Sequence, residues 1–287
     1  MIDLTRFRSI PRFTPACLLV VAAAAGTSLV AQDTKQGRRE PANTKAATQS
    51  QASSQSSPLD DPIRLAQKAH DKFRTIQDYS CLFIKRERIN GQLLPEEYVQ
   101  MKSRTRPFSV YLKWQRPYDG REAIYVEGQY DGKLMVHSTG VEKVVGGTVA
   151  LNPRGEMAME NSRHDITEAG IGNLVEQLVT RWDAERKLGQ TKVEIKERAA
   201  VDGRPCILVK TTQPNDPRHY AYYRSSVFFD KEHGLPIRFE GYDWPRRGSA
   251  PDGDKIEEYT YRDLKFNVSL TSADFSTENP KYNFGRL

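Results

Sequence analysis

From Asp78 onward, apolar residues recur mainly at every second position, and one helical stretch breaks the rhythm. A period of two sends successive side chains to opposite faces of a strand, so a chain patterned this way builds sheet. Tyr79–Arg88 and Leu93–Ser103 flank Asn90-Gly91, a dipeptide suited to a tight hairpin turn. Short strands follow at Phe108–Trp114, Glu122–Glu127 and Lys133–His137, separated by turn residues in Gln115–Gly120 and Gln129–Gly132. Residues 141–151 read as a further strand around Val144, Val145, Val149 and Leu151. Later strands are expected at Lys192–Arg198, Cys206–Thr211, Tyr220–Phe229, Pro236–Tyr242 and Lys255–Val268, the first two joined through Asp202-Gly203.

Two helices interrupt this series. One opens at Asp60 and Asp61, which are capping candidates, with Pro62 in its first turn. Leu65, Ala66, Ala69, Phe73 and Ile76 give it one apolar face. The second runs from Thr167, with Ile171, Leu174, Val175, Leu178, Val179 and Trp182 in a 3-4-3-4 rhythm. Strand and helix do not alternate, so nine to eleven strands and two main helices predict an antiparallel α+β domain over residues 58–287.

The 57 residues before it differ in kind. Arg6, Arg8 and Arg12 precede an apolar stretch from Ala16 to Ala25 and then small residues up to Ala31. This pattern predicts a secretory signal over 1–31, and hence an extracytoplasmic (periplasmic or secreted) location. The alternatives are an uncleaved anchor and a lipid-modified Cys17, although Cys17 starts the apolar run and a lipidated cysteine should follow it. Residues 32–57 hold no aromatic residue and almost no large aliphatic one, the composition of a disordered linker. The net charge of +6 resides mostly in these segments, since residues 58–287 carry 36 of the 43 basic and 34 of the 37 acidic residues. So even a balance lacks the basic face that a nucleic-acid backbone requires, and no nucleic-acid partner is expected.

Cys81 and Cys206 remain once the signal is removed. In an oxidising compartment the pair is a disulfide candidate, which would stabilise by up to about 4–5 kcal/mol through loop closure. The alternative is two buried free thiols.

Motifs that carry chemistry are scarce. The chain has no Gly-rich phosphate cradle, no G-x-S-x-G, no H-E-x-x-H and no C-x-x-C. His70, His137, His164, His219 and His233 are scattered, so neither a metal nor a cofactor is expected and the domain reads as non-catalytic. Glu96-Glu97 and Glu257-Glu258 are neighbours on strands and point to opposite faces, so neither forms an acid/base pair alone. Lys85-Arg86-Glu87-Arg88 could grip an acidic ligand, but reads first as the solvated end of a strand. Glu122 and Glu127 read as ordinary strand ends. The strands are rich in apolar and aromatic residues: Phe108, Val110, Leu112 and Trp114 share one face, and Tyr79, Cys81 and Phe83 another. They form either a packed core or one wall of an apolar cavity.

The segments D-Y-S-C-L-F-I-K-R-E-R (78–88), R-P-F-S-V-Y-L-K-W (106–114), P-Y-D-G-R-E-A-I-Y-V-E-G (117–128), I-T-E-A-G-I-G-N-L (166–174) and F-D-K-E-H-G-L-P-I-R (229–238) resemble a bacterial family known as domain of unknown function 1571. That family has no established activity, so no catalytic residue carries over. The strand-rich layout and the short motif before the late hairpin also resemble, more loosely, the lipoprotein-carrier (LolA/LolB-like) fold. This second resemblance implies a curved antiparallel sheet, an incomplete β-barrel covered by two main helices, with an apolar cavity inside. It implies a lipid or lipoprotein acyl chain as ligand, with Phe83, Val110, Leu112, Trp114 and Tyr125 as candidate lining residues. The competing expectation is a cell-envelope interaction module with a packed core and a protein or cell-wall partner. Cavity volume separates the two, because a packed core has few voids larger than water.

Overall fold

The structure, a computed structural model, describes residues 56–138 and 147–285. The expected signal over 1–31, nearly all of the expected linker, and Val144 and Val145 lie outside the described residues. Twelve strands are present: β1 (Asp78–Ile89), β2 (Gln92–Leu93), β3 (Glu97–Arg104), β4 (Ser109–Arg116), β5 (Glu122–Val126), β6 (Leu134–Ser138), β7 (Gly147–Leu151), β8 (Lys192–Val201), β9 (Arg204–Thr212), β10 (Arg224–Asp230), β11 (Pro236–Tyr242) and β12 (Lys255–Phe266). Among the described residues three α-helices accompany them: α1 (Asp60–Phe73), α2 (Glu156–Met159) and α3 (Ile171–Leu188). Eleven strands form one path, β7-β6-β5-β4-β3-β1-β12-β11-β10-β9-β8, and β2 pairs with the end of β1. All of these pairings are antiparallel, and the two ends of the path do not meet, so the sheet is open.

The turn chemistry follows the sequence. Asn90 and Gly91 both adopt positive φ, which a two-residue turn between right-twisted strands demands. Asp202 and Gly203 do the same between β8 and β9. At α1 the expected capping is corrected. Leu59 is the N-cap and offers no side-chain bond, while Asp60 lies inside the first turn and accepts from the Ser57 N–H at 2.8 Å. There the two aspartates still oppose the positive end of the helix dipole.

One face of the sheet is covered by α1 and α3. Tyr79 and Cys81 of β1, Val99 and Met101 of β3, Val110 and Leu112 of β4, and Val227 and Phe229 of β10 pack there. Ile63, Ala66 and Ala69 of α1 and Ile171, Val175, Leu178 and Trp182 of α3 close over them. The helices meet where Gly172 admits the Phe73 ring; a Cβ at Gly172 would stand 2.4 Å from Phe73 Cε1. The opposite face has its own smaller core of Tyr111, Ile124, Val126 and Met135, capped by Phe275 and Phe284. Glu122 belongs to this second core and is not a solvated strand end. Its carboxylate is fully buried and accepts from Asn283 N at 2.9 Å and Asn283 Nδ2 at 3.1 Å.

The disulfide expectation is also corrected. Cys81 and Cys206 are both free and buried. Cys81 faces the helices, whereas Cys206 packs with Val201 and Ile237 on the opposite face. Their strands, β1 and β9, are four positions apart, a path of about 19 Å at ordinary strand spacing. A disulfide needs Cα atoms within about 7 Å and converging side chains. No helix among the described residues is long and apolar enough to cross a membrane.

Candidate functional site

A cavity of about 510 Å³ lies between the helix-covered face, α3 and the segment that joins β7 to α3. Leu112, Ala123, Leu134, Val136, Val149 and Leu151, from four neighbouring strands, make an aliphatic wall. Leu174 and Leu178 of α3 line it as well. Further round, the lining turns aromatic with Trp114, Phe83, Tyr259, Tyr261 and Phe239. Phe83 stacks on Tyr261 and Tyr259, with ring centroids 5.0 and 5.9 Å away. Eight adjacent strands, from β7 to β11, contribute to this one space. Laid flat they would span about 34 Å, so the sheet curls around the cavity. Register slips between β1 and β12 and between β3 and β4 are bulges that bend it.

The five residues singled out from the sequence divide among three places. Phe83, Leu112 and Trp114 line the large cavity. Val110 does not; it is fully buried in the packed core. Tyr125, its cross-strand partner, lines a second cavity of about 360 Å³ beside Phe73 and Phe108. Parity places all five on one face, but that face is divided along the strand direction. Ala169 and Gly170, just before α3, border both spaces.

One end of the large cavity is polar. Glu257 of β12 is 1% exposed, and its carboxylate accepts from Arg163 Nε at 2.9 Å and from the Tyr222 hydroxyl, with His164 Nε2 at 3.0 Å. Glu87 of β1 accepts from the Tyr259 hydroxyl at 2.5 Å and from the Arg163 N–H at 3.1 Å. Lys85 Nζ lies 3.4 Å from Glu87 and 3.6 Å from Glu97, and donates to Ser162 Oγ at 3.1 Å. Trp114 Nε1 donates to Glu97 at 2.6 Å. Burial alone would push Glu257 up, but His164, Arg163 and Tyr222 outweigh it and hold the carboxyl down at about 2. Burial likewise works against a charged His164, and Glu257 and Glu168 overcome it, raising the imidazole to about 10. Lys85 is held above the ordinary lysine range in the same manner by Glu87 and Glu97. The cluster is therefore a set of closed ion pairs through the neutral pH range.

Lys85 and Glu87 had read as the wet end of a strand. Their parity with Tyr79, Cys81 and Phe83 already placed them on the inner face, where Glu87 is buried and Lys85 largely so. Glu257 shares parity with Tyr259 and Tyr261 in the same way, whereas Glu258 faces outward to Arg238 and Lys255. His164 and Arg163 had no such signal, because they sit in a segment outside any strand or helix.

The sequence model of a family described as a protein of unknown function, DUF1571, matches residues 76–284. The chain belongs to this family. No curated protein matches it. Solved structures with a similar layout include a DUF1329 family protein from Desulfovibrio piger, at 14% identity and TM-score 0.39, covering 77% of this chain and 98% of that one. Another is the Mycobacterium tuberculosis lipoprotein LppX, at 12% identity and TM-score 0.43, covering 74% and 98%. A third is a LolA superfamily protein from Nitrosomonas europaea, at 11% identity and TM-score 0.31, covering 74% and 96%.

Proposed function

We propose that this DUF1571 chain is an extracytoplasmic, non-catalytic domain that binds an apolar ligand, a lipid or an acyl chain, in the large cavity. The observation that carries the reading is the cavity itself: about 510 Å³, with one wall made of aliphatic side chains. Ligand sites run to about 300–1,000 Å³, whereas packed interiors hold few voids larger than water. That volume weighs against an interaction module with a solid core. Each methylene buried contributes about 0.8 kcal/mol. A chain of about ten methylenes would gain about 8 kcal/mol before the cost of ordering it.

The polar cluster supports a non-catalytic role. General acid–base chemistry works best with a group that titrates near the working pH. His164 stands near 10 and Glu257 near 2, far to either side of neutrality, and each is engaged by the other. Lys85, the cation beside the Ser162 hydroxyl, is held protonated and cannot serve that hydroxyl as a base. The extracytoplasmic setting rests on the signal-like pattern of residues 1–31.

Native mass spectrometry of the chain from residue 58, produced in an extracytoplasmic host and followed by lipid extraction, tests the proposal. Copurified lipid near one per chain, lost in folded variants carrying a charge at Leu112 or Trp114, is the expected result. A clean apo mass that also ignores added fatty acids and phospholipids overturns it and leaves the interaction module with a protein partner.

A further inference from the structure

The segment 152–169, between β7 and α3, forms one side of the cavity, and it is attached to the rest of the molecule in an unusual way. None of its eighteen residues is fully buried. Its one α-helix, α2, is four residues long and buries no side chain, a 3-10 turn at Ile166–Glu168 buries none either, and Met157 at the cavity rim is 72% exposed. The backbone hydrogen bonds within it are local, such as Met159 N to Gly155 O and Ala169 N to Ile166 O. Few buried contacts and only local bonds characterise a region that opens at low free energy.

Among the described residues, every hydrogen bond from this segment to the sheet passes through three consecutive residues. Ser162 accepts from Lys85, the Arg163 main-chain N–H donates to Glu87 while its guanidinium donates to Glu257 and the Arg88 carbonyl, and His164 meets Glu257. The bonds of Arg163 and His164 to the two carboxylates are charge-assisted, about twice as strong as neutral ones. Asn173 of α3 holds the Thr167 and Ala169 carbonyls at the C-terminal end of the strip, and Ala158, Ile166 and Ala169 pack partly against the core, but its hydrogen bonds to the sheet all lie at one point, beside the polar end of the cavity.

We propose that segment 152–169 is the gate of the cavity and that Arg163 and His164, clasped on Glu87 and Glu257, are its latch. The inference rests on the ligand-binding reading above. When the latch parts, the strip can swing about its two ends and expose the aliphatic wall; when it closes, the strip covers that side of the cavity and narrows the way in. Arg163 and His164 are positioning residues, and their removal changes the speed of entry and exit more than the equilibrium.

The test uses the chain from residue 58, with N-phenyl-1-naphthylamine, a neutral probe that brightens in apolar surroundings. Stopped-flow uptake and release, equilibrium titration, and hydrogen exchange by mass spectrometry are compared between the wild type and R163A/H164A. The expected result is uptake and release faster by about ten-fold or more, with affinity changed by less than about three-fold, since opening is gated by charge-assisted bonds while the apolar wall is untouched. Hydrogen exchange should quicken across 152–169 and stay unchanged across α3. Equal rates and equal exchange in the two proteins overturn the gate. If neither protein binds the probe, the cavity reading fails on its own account. Exchange then still decides the latch: acceleration confined to 152–169 supports it, and none refutes it. Should the double variant fail to fold because Glu257 loses two partners, His164→Gln keeps one donor, and the same rates and exchange are read for a smaller acceleration of the same pattern.

Discussion

Replacing Glu257 by Gln keeps the shape of a buried side chain and removes its charge. Arg163, His164 and Tyr222 all direct polar atoms at that carboxylate. Of these, His164 reports the change best, because its imidazole is raised from 6.5 to about 10 against the pull of burial. A gap of this size, converted in full, is about 5 kcal/mol. The His164 side chain is 33% exposed, however, so solvent screens part of the interaction and about 2–3 kcal/mol is the working expectation. Below pH 6.5 the imidazole is protonated in both folded and unfolded chains, and the contribution is fully present. Between 6.5 and 10 only the folded chain holds the proton, so stability falls with rising pH and the contribution is gone above 10. Glu257 acts in the opposite sense: its contribution is present above 4.5 and lost as pH falls through about 2. Urea unfolding of wild type and Glu257→Gln from pH 6 to 10 should show the wild type losing about 2–3 kcal/mol relative to the variant. NMR should find His164 still protonated at pH 9 in the wild type. In the variant it should titrate well below the wild-type value, since burial remains and the Glu257 charge is gone while Glu168 still holds the other ring nitrogen. Parallel stability profiles, or a wild-type His164 that titrates near 6.5, would refute the reasoning.

Three further outcomes follow from the packing. Val136→Trp places an indole in the cavity from its aliphatic wall and should weaken N-phenyl-1-naphthylamine binding by about ten-fold, with urea stability changed by less than about 1.5 kcal/mol. Gly172→Ala pushes a methyl group into the Phe73 ring and should destabilise by about 1–3 kcal/mol despite alanine's better helix propensity, and Phe73→Leu in the same chain should restore most of the loss in thermal unfolding. In the chain from residue 58, Cys81 and Cys206 should each take one iodoacetamide after denaturation without reductant, and dithiothreitol should leave the unfolding midpoint unchanged.

The backbone plan was largely legible in the sequence, and the reason is local. Alternation marked β1, β3, β4 and β5, Asn90-Gly91 marked their first turn, and the 3-4 rhythm marked α3. What alternation could not supply is which stretch of a face is covered and by what. Val110 and Leu112 share a face on β4, yet one is packed solid and the other meets the cavity, a difference set by where α1, α3 and the gate segment lie. Charged residues misled for the same reason. Lys85, Glu87 and Glu122 looked solvated because each was judged by its type and place near a strand end. Their parity with buried neighbours was the better guide, and these partners come from 76 to 161 residues away. The disulfide expectation failed on geometry that only strand order supplies: two cysteines of even count sit on opposite faces of one sheet.

The pairing of β1 with β12 has a consequence for how the domain comes into being. These strands lie side by side in the middle of the sheet, with Tyr79 opposite Phe266, and the rest of the sheet hangs on either side of that seam. A ribosome releases β1 long before β12, so the left and right halves can form hairpins early but cannot be stitched together until residue 266 has emerged. Contacts of such long sequence separation are slow to form. The seam that joins the two halves therefore closes only after nearly the whole domain has been made.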